Sequence, residues 1–300
     1  MKKTLFAFAI ILFGFKSFAQ ENQFVVYSVK GTVSVIENNV ETKAKIGRML
    51  TAASTVKVGP GSFATIICNE NRMFTIKKTG NYSAANLKDS CKGNNTGSLS
   101  ANYLKYVWNE MTKSKGSPEK NRKNYMSNVG AVSRDVSNVW IDPKLDTVNY
   151  VSGTVPLSWK AFSDAEEFDF KLFNADNSET PIFSKTVKKK HIEIKDILST
   201  IKVGKSYLWT AMVKDEDNSV RKYLKYWTKE DYAAYYKSLT PAEGISETEA
   251  EKNFRLGFLL EEGHFLAEAQ SHYLKATQLD PTNYIYRSVF MAFKKDYEIK

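Results

Sequence analysis

The sequence predicts a multidomain chain with an all-β N-terminal part, a β-sandwich in the middle and an α-helical repeat at the C-terminal end. Residues 24–87 are rich in Val, Ile and Thr that alternate with polar residues, and glycines separate the runs, which is typical of short strands. Residues 155–227 show a second alternating pattern, with turn signals about every eight to twelve residues. In residues 250–281, by contrast, apolar residues recur at the spacing of an α-helix.

The start of the chain has the three parts of a secretory signal peptide. Lys2 and Lys3 form a basic start, an apolar run follows, and Ser17-Phe18-Ala19 puts small residues where a signal peptidase cleaves. The apolar run is too short for a permanent membrane anchor. We therefore expect export, cleavage after Ala19, and a mature chain that is periplasmic or peripheral to the envelope and does not span a membrane.

The chain is basic, and its charge narrows the classes of partner. The formal net charge is +10, and it falls to +7 when the three lysines of residues 1–19 are removed. Much of the excess lies in residues 113–123 and 185–190. Nucleic acid is not expected as a partner, because the chain is exported and has no basic motif interleaved with aromatic residues. Attraction to anionic lipid headgroups or cell-wall polymers is an alternative to lysines that are simply solvated.

Three short segments characterise the N-terminal β part. They are residues 29–33 (VKGTV), 56–59 (VKVG) and 62–66 (SFATI), with a Gly-Pro-Gly turn before the last. Together they resemble the FecR-type domain, a periplasmic all-β module, over residues 24–97. The resemblance implies a rigid β platform in the periplasm. The alternative is another small β domain with glycine turns.

The sequence holds two cysteines, Cys68 and Cys91. Neither has partners at the spacing of a zinc site, which needs four ligands. An exposed free thiol is vulnerable in an oxidising compartment, so we expect a disulfide between them. Such a bond would contribute about 3 kcal/mol to stability by loop-closure entropy. The alternative is a pair of unbonded small residues.

Residues 98–140 connect the two β parts. Residues 98–111 are predicted to form an amphipathic helix that packs against the N-terminal β part, since its polar face is too poor in lysine for a membrane-surface helix. Its apolar positions are Leu99, Tyr103, Leu104, Val107, Trp108 and Met111. Residues 112–128 are charged and contain Gly116 and Pro118, which predicts a flexible basic linker.

Residues 145–227 are predicted to form the β-sandwich. The alternating apolar positions include Leu157, Trp159, Phe168, Phe170, Leu172, Ile192, Ile194, Tyr207, Trp209, Ala211 and Val213. The early-strand Trp159 and the segment 203–209 (VGKSYLW) resemble a fibronectin type III or immunoglobulin-like domain without its cysteine pair. The resemblance implies a spacer or an adhesive module. We expect its aromatic residues to form a core and not a sugar-binding platform.

Residues 228–300 are predicted to be helical, with one helix–turn–helix unit at their centre. Its defining positions are Leu256, Gly257, Ala269, Tyr273, Ala276 and Pro281. Small residues lie where the helices would touch, the tyrosine fills the groove and the proline ends the second helix. This spacing resembles a tetratricopeptide repeat of about 34 residues, from which Asn253 and Leu260 depart. The resemblance implies protein binding. The alternative is a hairpin that only caps its neighbour, because a lone repeat cannot bury its apolar face.

The first helix of the repeat carries the expected partner-binding face. Carried over from the resemblance, its exposed positions are Glu251, Phe254, Phe258, Glu261 and Glu262. Two aromatic anchors with an acidic rim suit a basic or amphipathic helix or peptide. In the alternative, the two phenylalanines belong to the core under the preceding helix.

No arrangement of residues for catalysis is evident in the sequence. His191, His264 and His272 lack neighbouring cysteine or aspartate ligands, and no zinc-protease or serine-hydrolase motif occurs. We therefore expect no catalytic residues, no metal and no cofactor.

The sequence thus favours a non-catalytic exported envelope scaffold or adaptor that binds a protein partner through its C-terminal helical repeat. A binding module for cell-wall glycan or another envelope polymer is the first alternative. A hydrolase whose site is assembled from scattered residues is the second.

Overall fold

A computed structural model gives the arrangement of most of the chain. The expected signal peptide, residues 1–19, lies outside the described residues, and so does Leu99. The structure describes residues 23–70, 72–91, 100–112, 118–126, 138–142, 145–241 and 244–299. The fold is mixed, with β-sheets in the N-terminal and central parts and helices at the C-terminal end.

The N-terminal part consists of two four-stranded antiparallel sheets. Its strands are β1 (Phe24–Lys30), β2 (Val33–Glu37), β3 (Val40–Lys43), β4 (Met49–Leu50), β5 (Thr55–Val58), β6 (Phe63–Cys68), β7 (Arg72–Ile76) and β8 (Gly80–Ser83). The strand orders are β4-β1-β6-β7 and β3-β2-β5-β8. The apolar residues that alternate with polar ones in the sequence face the core of this part, as expected for strands with one buried face. They include Val33, Val35, Val56 and Val58.

The β2–β3 turn shows why this sequence forms hairpins here. Asn38 and Asn39 both have positive φ, of 49° and 62°. Asparagine tolerates this left-handed backbone better than most residues, and two such residues match the twist of the flanking strands.

The central part contains a five-stranded sheet and two short two-stranded sheets. Its strands are β9 (Val139–Trp140), β10 (Thr147–Tyr150), β11 (Pro156–Ser158), β12 (Lys160–Ala161), β13 (Phe168–Asn174), β14 (Asn177–Val187), β15 (His191–Glu193), β16 (Ser206–Val213) and β17 (Lys222–Tyr226). The five-stranded order is β10-β17-β16-β13-β14, in which β10 runs parallel to β17. The short pairs are β11-β15 and β12-β9.

Aromatic residues join the sheets of the central part. The Trp159 ring lies 6.0 Å from Phe168 and 6.4 Å from Phe170, measured between ring centroids. Phe170 in turn stacks on Trp209 at 5.9 Å. All four side chains are at most 2% exposed. The aromatic residues expected to form a core therefore do so.

The described helices are α1 (Ala101–Thr112), α2 (Pro118–Met126), α3 (Lys229–Ser238), α4 (Glu249–Glu262), α5 (Leu266–Leu279) and α6 (Tyr284–Asp296). A 3₁₀ helix, Ala84–Cys91, follows β8. Helix α3 begins at the Thr228 cap, whose side chain accepts a hydrogen bond from the Asp231 N–H. Within the described ranges, none of these helices has the length and apolar composition needed to cross a membrane.

Helix α2 corrects the expectation of a flexible linker over residues 112–128. Residues 118–126 are helical, and α2 packs against α1 and α6. The cause is Arg122, whose side chain is fully buried and forms ion pairs with Glu261 and Asp296. A buried charge is stable only when it is paired, so these carboxylates hold the otherwise polar helix in place.

One continuous hydrophobic core joins the parts of the chain. It includes Tyr27 from β1, Trp108 from α1, Trp159 from the central part and Phe258 from α4. The N-terminal part also has a second core of its own, between its two sheets. The C-terminal helices are therefore packed against both β parts, which sets the geometry of the surface between them.

Candidate functional site

The repeat-defining residues lie where helices α4 and α5 touch. Gly257 faces the Tyr273 ring so closely that a Cβ at position 257 would lie 2.7 Å from Cδ1 of that ring. Ala269 and Ala276 are fully buried on α5, Leu256 is buried on α4, and Pro281 lies between α5 and α6. The small residues therefore let the two helices approach, with the tyrosine packed against the glycine.

The expectation that the first helix presents an exposed partner-binding face is wrong. Glu251, Phe254, Phe258 and Glu261 are each at most 4% exposed. Helix α1 covers this side of α4, where Tyr106 stacks on Phe258 with ring centroids 5.1 Å apart. An aromatic face that the chain itself covers cannot serve as an open groove.

The carboxylates predicted to form an acidic rim also have partners within the chain. Glu261 is fully buried, pairs with Arg122 and accepts a 2.9 Å hydrogen bond from the Tyr273 hydroxyl. Glu262, at the end of α4, accepts a 2.7 Å hydrogen bond from the Asn102 side chain of α1. These two residues therefore hold helices together.

Glu251 differs from the other carboxylates of this face. It is the third residue of α4, and its Oε2 accepts a 2.8 Å hydrogen bond from the Thr248 N–H in a capping box. Its Oε1 is buried and makes no hydrogen bond of normal geometry with the described residues, although the Ser28 hydroxyl lies close to this carboxyl group. Burial raises the pKa of Glu251 to about 7, against the lowering effects of the Ser28 hydroxyl and the Thr248 amide.

Glu251 lines a pocket of about 300 Å³, the junction pocket, at the place where β1, α1, α4 and α6 meet. Its lining residues are Tyr27, Ile46, Gly47, Tyr103, Tyr106, Val107, Glu110, Met111, Glu251, Phe254, Asn283, Tyr284, Ile285 and Tyr286. The pocket is open at Ile46 and Tyr284, which are 42% and 60% exposed. Of the predicted partner-binding residues, the structure brings Glu251 and Phe254 to this pocket and leaves the others out.

A buried polar network supports one wall of the junction pocket. The Tyr27 hydroxyl donates to Glu247 at 2.9 Å and lies 2.9 Å from the Tyr103 hydroxyl. The Arg255 Nε–H is shared between the two carboxylate oxygens of Glu247, at 2.9 and 3.0 Å. Burial raises the pKa of both Tyr27 and Tyr103, so the phenols stay neutral. These bonds fix the aromatic wall to both the N-terminal part and α4.

The two cysteines and the histidines lie away from the junction pocket. Cys68 and Cys91 form a disulfide that ties the end of β6 to the 3₁₀ helix, with their Cα atoms 6.1 Å apart. His272 packs between Asn253 and Tyr236, and burial lowers its pKa to about 4. Across the described residues, no group of three or more His, Cys, Asp or Glu side chains is arranged to hold a metal ion.

Sequence reasoning missed part of this site. The Thr-x-x-Glu spacing of Thr248 and Glu251 is the signature of a capping box and could have shown that this carboxylate bends back towards the start of its helix. The contribution of Tyr27 has no such local signal, because its partner Glu247 lies 220 residues further along the chain.

The arrangement at the junction pocket suits recognition of a ligand. Among the residues that the structure describes, its lining combines aromatic rings with two carboxylates, Glu110 and Glu251, and includes no lysine, arginine, histidine, serine or cysteine. Compared with protein-family models and with curated proteins, the chain matches none. Any functional conclusion therefore depends on the residues and their geometry.

Proposed function

We propose that this protein is a non-catalytic exported envelope adaptor that binds a protein partner at the junction pocket. The observation that supports this most strongly is the position of the pocket, which draws residues from the N-terminal β part, α1 and the C-terminal helices. A site built between parts of a chain is a common place for ligand binding. The signal-peptide pattern of residues 1–19 is the basis for export.

In this proposal the chain consists of three modules after the signal peptide. Residues 24–97 are a FecR-like β domain, residues 98–140 connect it to the next, residues 145–227 are a fibronectin- or immunoglobulin-like sandwich, and residues 228–300 are tetratricopeptide-like helices. The two β modules hold the helices rigidly, since one core joins them. The adaptor is thus a preorganised surface, which lowers the entropic cost of binding.

A feature of the central part supports its assignment to the immunoglobulin-like class. The Tyr207 hydroxyl, near the start of β16, accepts a 2.6 Å hydrogen bond from the backbone N–H of Lys202. This bond back to the chain just upstream resembles the tyrosine corner of such sandwiches. Gly204, with φ of 78°, makes the turn between the two residues.

In this proposal the repeat-like helices do not bind the partner through the concave face that an open repeat array uses. Helices α1 and α2 of the same chain cover the face that a repeat array would offer to a partner. What remains accessible is the rim of the junction pocket, where Tyr284 begins α6. The partner is therefore expected at this rim.

A capture experiment with a matched pair of variants tests the proposal. Tyr284 and Met291 both lie on α6 and are 60% and 63% exposed, but only Tyr284 lines the junction pocket. Tagged mature protein is used to capture partners from an envelope extract of its source. We expect Tyr284→Arg to abolish capture of a specific protein and Met291→Arg to leave it intact, with both variants folded because surface changes usually cost less than about 0.5 kcal/mol.

Equal capture by both variants would place the partner elsewhere and overturn this proposal. Deleting residues 246–300 is a poorer test, because these residues share their core with both β parts and their loss would expose it.

A second candidate function, binding of an anionic envelope polymer, is favoured by one patch on the central part. Exposed lysines of β14 and the following turn surround a depression of about 450 Å³ lined by Lys185, Lys188, Lys189, His191 and Lys195, with Glu193 and Asp196 at its side. Salt-sensitive co-sedimentation with purified cell wall, lost in Lys188→Glu/Lys189→Glu, would support this function. Sedimentation unaffected by these changes would exclude this patch.

A further inference from the structure

The central part presents two exposed aromatic side chains on one side of a short β-ribbon. Strands β9 and β12 pair antiparallel, with Trp140 opposite Lys160. The ladder continues with a 2.9 Å bond from the Phe162 N–H to the Asn138 C=O. Side chains alternate between the two faces of a strand, and Val139 points into the core, where it is 4% exposed. The tryptophan, the lysine and the phenylalanine therefore lie together on the solvent face.

The two rings are not arranged as a flat stacking platform. Phe162 is 74% exposed, the largest fraction for a large apolar side chain among the residues that the structure describes. A ring exposed to this extent protrudes from the surface and does not lie along it. Trp140 is 36% exposed, and the Lys160 Nζ lies over its ring at 5.2 Å from the centroid, within cation–π range. A sugar stacks on a flat ring whose face is free, and neither side chain offers one.

Lysines lie on the other side of the same strand. The Trp159 N–H, one residue before Lys160, donates a 3.0 Å hydrogen bond to the Lys190 C=O. Residues 188–190 are therefore beside the ribbon, and two of them line the depression of about 450 Å³ on the central part. That depression is lined by four lysines and two carboxylates, which gives a formal charge of +2 when His191 is neutral. A positive surface thus adjoins the two exposed rings.

The chain does not neutralise these lysines. None of the four that line the depression forms an ion pair or a side-chain hydrogen bond with another described residue. Lys214 and, more weakly, Lys188 lower the pKa of Glu167, but Lys214 is the paired residue, at 2.8 Å. Two exposed carboxylates, Asp164 and Glu166, follow Phe162 along the chain, so the attraction for anions comes from the lysine side of the ribbon.

We propose that this basic–aromatic face is a docking surface for a bilayer that contains anionic lipids. The face consists of Trp140, Lys160, Phe162, Lys185, Lys188 and Lys189. Phe162 inserts among the headgroups, Trp140 lies at the boundary between headgroups and acyl chains, and the lysine ammonium groups contact headgroup phosphates. The inference goes beyond the proposed function, because none of these residues lines the junction pocket.

The two kinds of side chain contribute separately to such docking. Each lysine close to an anionic leaflet raises the affinity by about fivefold. A phenylalanine ring that leaves water raises it by about tenfold. Binding that combines a few such weak contributions is peripheral and reversible.

Two other roles for the lysines make different predictions. Lysines on an edge strand such as β14 deter pairing with another sheet, and this role does not involve Phe162. An anionic polymer, the second candidate function above, would be held by the lysine charges and would not require a protruding apolar ring. The effect of changing Phe162 therefore separates the bilayer from both.

The test is co-sedimentation of the mature protein with vesicles of phosphatidylcholine and phosphatidylglycerol, compared with vesicles of phosphatidylcholine alone. We expect binding to the anionic vesicles that falls steeply between about 0.1 M and about 1 M salt. Phe162→Ser should weaken this binding by about tenfold. Lys188→Glu/Lys189→Glu should weaken it by at least about 30-fold. Phe162→Trp should retain it, since tryptophan also favours the membrane interface.

Matched controls lie in other parts of the chain. Met291→Ser removes an apolar side chain that is 63% exposed on α6. Lys77→Glu/Lys78→Glu makes the same change in net charge at two adjacent exposed lysines that follow β7. Both controls should bind the anionic vesicles nearly as well as wild type, and the circular-dichroism melts of all variants should match because every changed side chain is exposed.

Several results would overturn the inference. They are equal binding to the two kinds of vesicle, an unchanged affinity in Phe162→Ser, and a loss in Lys77→Glu/Lys78→Glu as large as that in Lys188→Glu/Lys189→Glu. Sedimentation with purified cell wall but not with anionic vesicles would also overturn it and would assign the lysines to the polymer. None of these results bears on the junction pocket, which capture by the Tyr284 variant tests separately.

Discussion

Replacing Arg122 by methionine should strongly destabilise the protein. The Arg122 and Glu261 side chains are both fully buried, and Asp296 is the second carboxylate paired with this arginine. Methionine fills a similar space but carries no charge. Glu261 would then be a buried carboxylate without its cationic partner, held only by hydrogen bonds such as the one from Tyr273. Removing one partner of a buried ion pair costs about 3–5 kcal/mol. We expect a loss of that size in the free energy of unfolding.

Urea unfolding followed by tryptophan fluorescence measures this loss, since Trp108 is buried in the core on α1, the helix against which α2 packs. Arg48→Met is the matched control, because the Arg48–Glu37 pair is partly exposed and such pairs contribute at most about 1 kcal/mol. The double variant Arg122→Met/Glu261→Leu should recover most of the loss, because no unpaired carboxylate then remains at position 261. A loss below about 1 kcal/mol in Arg122→Met would refute the docking of α2 and restore the flexible linker.

Three further predictions concern stability. Gly257→Leu should lower the melting temperature, because even its Cβ would lie 2.7 Å from the buried Tyr273 ring. Such overpacking costs about 1–3 kcal/mol or more. An unchanged circular-dichroism melt would contradict the contact between the two helices. Reducing the Cys68–Cys91 disulfide should cost about 3 kcal/mol in urea unfolding, and equal midpoints with and without reductant would show that the bond does not constrain the unfolded chain. Glu251→Gln should be more stable than wild type at pH 8 by up to about 3 kcal/mol and nearly equal to it at pH 4. The folded-state pKa of about 7 exceeds the ordinary 4.5, so wild type loses stability as pH rises between these values, and a pH-independent difference would contradict the assigned shift.

The local patterns of the sequence predicted much of the secondary structure. Alternation of apolar and polar residues marked the strands of both β parts, and helical spacing marked the α4–α5 pair, because these patterns arise from side-chain directions within single elements. Residues 118–126 were misread because their composition is that of a linker, while the carboxylate that holds them lies 139 residues away from Arg122. A local pattern carries no information about such a partner.

The candidate site shows the same limit. An open repeat exposes Phe254 and Phe258, whereas the alternative places them in the core under the preceding helix. They are buried, but α1 covers them, through contacts such as Tyr103–Phe258 and Tyr106–Phe258. Because α1 lies far away in the sequence, no local pattern predicts this cover. The acidic and aromatic character expected of the binding surface does occur in the junction pocket, through Glu251 and Phe254. Its other walls come from segments whose proximity only the tertiary fold creates.

Site-specific photo-crosslinking tests most directly whether the junction pocket holds the partner. A benzophenone amino acid is placed at Ile46, which lines the pocket and is 42% exposed, and for comparison at Val203, which is 54% exposed on the central part. We expect a specific adduct with the partner protein from position 46 and none from position 203. An adduct from position 203 alone, or no adduct from position 46, would contradict binding of the partner at this pocket.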